Sequence, residues 1–191
     1  MEFNEFTEAE LIKIDMFKTV TKNSNFKQYY TYIKNHIEKV KEAFYKYKDE
    51  LFKILKMSNL EMIYTTENIM HHDESKLEYI EFSGYINYWY PDKDNIESEE
   101  SKYMKYMKAW NHHIHNNPHH PEYWIVFDDD KRIVLDMDAV YILEMLCDWE
   151  SFRKEDGTGG AYDYYYKVDR KEGLLSDNTR KLVEACLEVM K

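Results

Sequence analysis

Residues 25–56 read NFKQYYTYIKNHIEKVKEAFYKYKDELFKILK. Apolar side chains recur at Phe26, Tyr29, Tyr30, Ile33, Ile37, Val40, Phe44, Leu51 and Leu55, mostly in steps of three, four and seven. That spacing lays one stripe along an α-helix, with the intervening lysines and acids on the other side. The stretch therefore predicts a long helix starting near Asn25 and continuing to about Lys56. His36 lies at the edge of the stripe, about 60° from Ile33 at about 100° per residue. Taken alone, it reads as a core histidine bonded to a backbone or Tyr partner.

Further helices are expected on both sides. Thr7 and Glu10 make a capping box for a helix over about Thr7–Val20. A helix from about Asn59 ends near His71-His72-Asp73, and another runs from about Ser75 through Phe82, Tyr85, Ile86 and Trp89 to Pro91. Asp92–Lys102 is acidic and polar and reads as a solvated loop. Tyr103, Met107, Trp110 and Ile114 are spaced by four, three and four, a helix that Pro118 must stop. Trp124–Phe127 and Arg132–Leu135 flank three aspartates and predict a β-hairpin. Helices over Met137–Phe152 and Asp177–Met190 follow. Gly157–Gly160 lacks the Lys-Ser/Thr of a phosphate loop and reads as a flexible turn or lid. The expectation is one all-α domain over residues 1–191 with one small hairpin.

Five Gly and three Pro in 191 residues are too few for a sheet protein with many tight turns. A formal charge of −11 argues against a nucleic-acid polymer as partner, whereas a small anionic substrate is compatible if bound cations invert the local field. The acidic MEFNEFTEAEL start lacks the basic, apolar character of a secretory leader, and nowhere do 18 apolar residues run together. A cytoplasmic protein without a membrane span is expected. Cys147 and Cys186 fall on apolar-periodic stretches and read as buried thiols.

The chemistry resides in the histidines. His71-His72 precedes Asp73, and five of the eight histidines lie between His112 and His120. Imidazoles and carboxylates at such density are costly to bury unless a cation uses them. With Trp110 buried, His113 falls about 60° from it, while His112 and His115 fall about 160° and 140° away and read as surface. His119 and His120 follow Pro118, where a turn can aim either inward. Asp148 lies at the edge of an apolar face, beside Met145 and Phe152. His36, His72, Asp73, His113, His119, His120 and Asp148 are the candidate ligands of one or two metal ions. Trp110, Trp124 and Trp149 read as core.

This order resembles the HD-domain superfamily of metal-dependent phosphohydrolases, whose hallmark is a His-Asp doublet. His72-Asp73-Glu74-Ser75-Lys76 resembles the HDxGK element of HD-GYP cyclic-dinucleotide phosphodiesterases and of diiron oxygenases on the same scaffold. His119-His120-Pro121-Glu122 resembles the HHE segment of those phosphodiesterases, and Asp148 occupies the place of their final Asp. HDESK, AWNHHIHNNPHHPEYW and EMLCDW look more closely like the signatures of a family of unknown function from bacteria and phages, over about His36–Asp163. The GYP triplet is absent. His113 and His119 are six residues apart, closer than their counterparts in the phosphodiesterases.

The resemblance implies an HD-like helical bundle holding iron or manganese, with zinc, nickel, cobalt and magnesium as lesser choices. A water activated by the metal would attack a nucleotide or other small phosphorylated molecule. Asp73 and Lys76 are the candidate catalytic residues: Asp73 can bridge two cations, and Lys76 either binds a substrate oxygen or pairs with Glu74 or Glu81. Glu81 and Glu122 either orient ligand imidazoles or serve as capping or solvated acids. A diiron oxygenase and a metal-containing binding protein without turnover are the alternatives.

Overall fold

The computed structural model describes residues 25–167 and 173–191; the helix expected over Thr7–Val20 lies outside them. The fold is all-α with a small β-hairpin: among the described residues there are seven α-helices, two 3-10 turns and two paired strands. No helix among them is long and apolar enough to cross a membrane.

Helix α1 (Asn25–Ile54) realises the long stripe, with Tyr29, Tyr30, Ile33, Ile37, Val40, Phe44 and Leu51 buried, and Ala43 and Tyr47 added to the same face. His36 belongs to that buried face and is 5% exposed. Lys56 adopts φ 53°, and the Met57 N–H reaches back to the Phe52 carbonyl at 3.0 Å, closing the helix in a left-handed cap. Helix α2 (Asn59–Met70) opens on a capping box: the Ser58 N–H donates to Glu61 Oε2 at 2.7 Å, and the Glu61 N–H to Ser58 Oγ at 3.3 Å.

Two helix starts differ from the sequence expectation by four residues. The helix predicted from Ser75 begins at Tyr79 (α3, Tyr79–Trp89), because Glu74–Leu77 tightens into a 3-10 turn in which the Glu78 N–H bonds the Ser75 carbonyl at 2.8 Å. Helix α4 (Glu99–Asn116) starts four residues before Tyr103. Ser98 accepts the Ser101 N–H at 3.2 Å, and Glu99 and Glu100 suit the positive end of the helix dipole, so part of the expected acidic loop is helical. Strands β1 (Ile125–Asp128) and β2 (Lys131–Val134) pair antiparallel in the register Ile125–Val134, with Asp129 at φ 51° in the turn. Helices α5 (Ala139–Glu150), α6 (Ala161–Lys167) and α7 (Asp177–Leu187) complete the chain. Gly157 and Gly159 supply positive φ in the loop before α6.

The described residues form two compact units. One comprises 25–34 and Glu74–His113. In it Phe82 packs against Phe26 and Tyr29, and Gly84 lets α3 approach α4 at Ala109. The other comprises Asn35–Asp73 and residues from Ile114 onward. Its α5 contacts α2, α6 and α7 around a core of Val40, Leu51, Ile69, Ile142, Leu146 and Val183.

Candidate metal centre

Four elements of the second unit supply the polar cluster. Helix α1 contributes His36. The chain leaving α2 contributes His72 and Asp73, with Asp73 at φ 58°. Asp enters this left-handed region more readily than most residues, at a cost on the order of 1 kcal/mol. The turn before Pro121 contributes His119 and His120; it is pinned by the Trp124 indole N–H donating to the Pro118 carbonyl at 2.7 Å. Helix α5 contributes Glu144 and Asp148, one turn apart on the same face. His36, His72, Asp73, His119 and Glu144 are all buried.

His36 Nε2 lies 3.3 Å from Asp73 Oδ2 and 3.1 Å from Asp148 Oδ1. His72 Nε2 lies 3.4 Å and 3.6 Å from the same two oxygens. The other Asp73 oxygen, Oδ1, is 3.6 Å from His119 Nε2. Asp73, His119 and His120 each offer an atom within 4.8 Å of the others. Metal bonds of about 2.1 Å set adjacent ligand atoms roughly 3.0 Å apart in an octahedral shell and roughly 3.4 Å apart in a tetrahedral one. The observed separations are of that size. His72 Nε2, sealed from solvent, makes no hydrogen bond among the described residues, a cost that a cation would remove. The donor set therefore fits a divalent ion, and these clusters could hold one.

On the far side of the rings, Glu144 Oε1 lies 2.9 Å from His72 Nδ1 and 3.1 Å from His119 Nδ1. Ser151 Oγ lies 3.2 Å from His36 Nδ1 and 2.7 Å from the Asp148 carbonyl. The Phe152 ring covers His36 at 5.3 Å between centroids. Burial opposes charge throughout, yet opposite charges prevail. Asp73, Asp148 and Glu144 push His72 up to about 10 against its burial. His119 and His72 bring Glu144 down to about 2, and His36 and His72 hold Asp148 well below the usual carboxylate range. Without a metal, the carboxylates favour a proton on His72; a cation would meet the same demand and release it.

The structure thus brings together His36, His72, Asp73, His119, His120 and Asp148. His113 and Lys76 belong to the first unit. There His113 is buried, and its Nδ1 lies 2.8 Å from Glu81 Oε2, while Glu81 Oε1 lies 2.7 Å from His112 Nδ1. Glu81 is therefore a fully buried imidazole-binding acid. His112, expected at the surface, is half-buried; His115 is exposed. Lys76 is half-buried in the 3-10 turn. Trp124 and Trp149 pack on the core, as expected.

Sequence reasoning missed Glu144 and Ser151. A signal for Glu144 was present: it is a charged residue inside the apolar run of EMLCDW, four positions before Asp148. Ser151 had none beyond lying one turn past Asp148. No curated protein and no solved structure matches the chain significantly. A family model matches residues 25–189, most of the chain and all of this cluster, and the chain accordingly belongs to the family of unknown function DUF5662.

Proposed function

We propose that His36, His72, Asp73, His119, His120 and Asp148 hold one or two divalent cations, iron or manganese first, in an HD-type helical pocket. We further propose that the protein is a metal-dependent phosphohydrolase acting on a nucleotide or another small phosphorylated molecule. The observation that carries the metal reading is the quartet of His36 Nε2, His72 Nε2, Asp73 Oδ2 and Asp148 Oδ1, with imidazole–carboxylate separations of 3.1–3.6 Å. Its chain order, His, His-Asp, Asp, supports the HD assignment.

A divalent cation supplies a water acidified toward neutral pH and draws electron density from a phosphoryl oxygen. The protein's part is to gather the donors and keep them dry. Asp73 presents one oxygen to His36 and His72 and the other to His119, an arrangement that suits service to two cations at once. The cations would also offset the −11 charge of the chain, which otherwise repels an anionic substrate. His113 remains a candidate ligand in this reading, and Lys76 a candidate for binding a substrate oxygen.

The test is purified, untagged protein incubated with a panel of nucleotides and Mn²⁺, with His72→Ala as control. Phosphate or nucleoside release confined to the wild type is the expected result; none above the control would overturn the hydrolase reading. Retained iron with a mixed-valence signal and no hydrolysis would redirect it to oxygen chemistry.

A further inference from the structure

We infer that Ser151 and Glu144, which are not ligands in the proposal above, are positioning residues that decide which ring nitrogen His36, His72 and His119 turn toward the cation. The inference rests on the metal reading of the site.

Ser151 has a single hydroxyl hydrogen. Its Oγ lies 2.7 Å from the Asp148 carbonyl oxygen and 3.2 Å from His36 Nδ1. A carbonyl only accepts, so the hydroxyl hydrogen goes to Asp148 and Oγ is left to accept from the imidazole. His36 Nδ1 must then carry its hydrogen, and the neutral ring keeps its lone pair on Nε2. That is the atom 3.3 Å from Asp73 Oδ2 and 3.1 Å from Asp148 Oδ1.

Glu144 imposes the same choice on two rings with one oxygen. An ionised carboxylate only accepts, so both Nδ1 atoms, 2.9 Å and 3.1 Å away, must donate to Oε1. His72 and His119 are left with Nε2 lone pairs, and both Nε2 atoms face Asp73. Three imidazoles from three segments share one tautomer. Ser151 also links two ligands directly, because the hydroxyl that orients His36 is anchored on the peptide of Asp148. Removing it would admit the opposite tautomer, whose Nε2–H cannot bind a cation.

The test uses full-length protein and cobalt(II) as the probe, titrated against a chelating competitor. Ser151→Ala and Glu144→Gln are expected to weaken cobalt affinity roughly 10–100-fold. Both should alter the visible absorption of the bound ion, while melting of the metal-free variants shifts by only a few degrees. The amide of Glu144→Gln offers a donor as readily as an acceptor, so it removes the constraint with little change of shape. Ser151→Thr keeps the hydroxyl and should restore both affinity and spectrum. Wild-type affinity and spectrum in Ser151→Ala and Glu144→Gln would overturn the inference while leaving the metal reading intact. So would a loss in Ser151→Thr equal to that in Ser151→Ala. A wild-type protein that binds no divalent cation would overturn both. Should Ser151→Ala fail to fold, Glu144→Gln carries the test.

Discussion

Asp148 Oδ1 stands 3.1 Å from His36 Nε2, although the two side chains come from α5 and α1, more than a hundred residues apart in the chain. Only burial of both helices in one core brings them together. His72→Ala and Asp148→Ala should each release most of the metal, read by elemental analysis of untagged protein. His112→Ala should retain it. That variant still costs stability, about 1–3 kcal/mol, because Glu81 Oε1 loses its partner in a fully buried position. Equal metal loss from all three would dissolve the proposed ligand set.

Gly84 is a matter of space. A Cβ there would lie 2.5 Å from Ala109 Cβ and 2.7 Å from the Lys105 carbonyl, so α3 and α4 would have to separate. Gly84→Ala should destabilise by about 1–3 kcal/mol even though alanine favours helix by about 1 kcal/mol. The double variant Gly84→Ala/Ala109→Gly should recover part of the loss in urea unfolding. A Gly84→Ala protein as stable as wild type would contradict the close approach.

Glu150 ties three segments of the second unit. It accepts from the Tyr47 hydroxyl at 3.1 Å, Arg153 Nε at 2.5 Å and the Ala161 N–H at 3.0 Å, and it is 5% exposed. Arg153 in turn donates to the Met190 carbonyl at 2.7 Å. Glu150→Ala should cost about 2–4 kcal/mol and lower Tm by roughly 5–15 °C. Trypsin cleavage after Lys154 should accelerate as well, since the loop into α6 loses its anchor. An unchanged melting curve would mean that solvent compensates these bonds.

Cys147 and Cys186 are both fully buried. Burial, reinforced by Glu144 and other nearby acids, pushes the Cys147 thiol well above its ordinary value, and burial pushes Cys186 up to about 12. Native protein at pH 8 should therefore be inert to a chromogenic disulfide reagent, and guanidinium should expose two reactive thiols. Rapid labelling of the native state would contradict the packing of α5 against α7.

The helices were legible in the sequence because their cause is local. The three-and-four spacing from Tyr29 to Leu55 forces one face of α1 into the core, and Pro118 stops α4 whatever surrounds it. The donor inventory was legible too, since histidines and acids at that density need a common charge partner. Local reasoning failed where the deciding partner was distant. Composition made 92–102 look like loop, but Ser98 and two glutamates start α4 there. His112 looked solvated from its angle to Trp110, yet Glu81, on α3, half-buries it. Sequence by itself determined the helical class and which residue types could meet a cation. Tertiary structure alone decided that Glu144 and Ser151 stand behind the imidazoles and that Asp73 divides its oxygens between two sets of rings, because those relations depend on packing between helices and not on the period along any one of them.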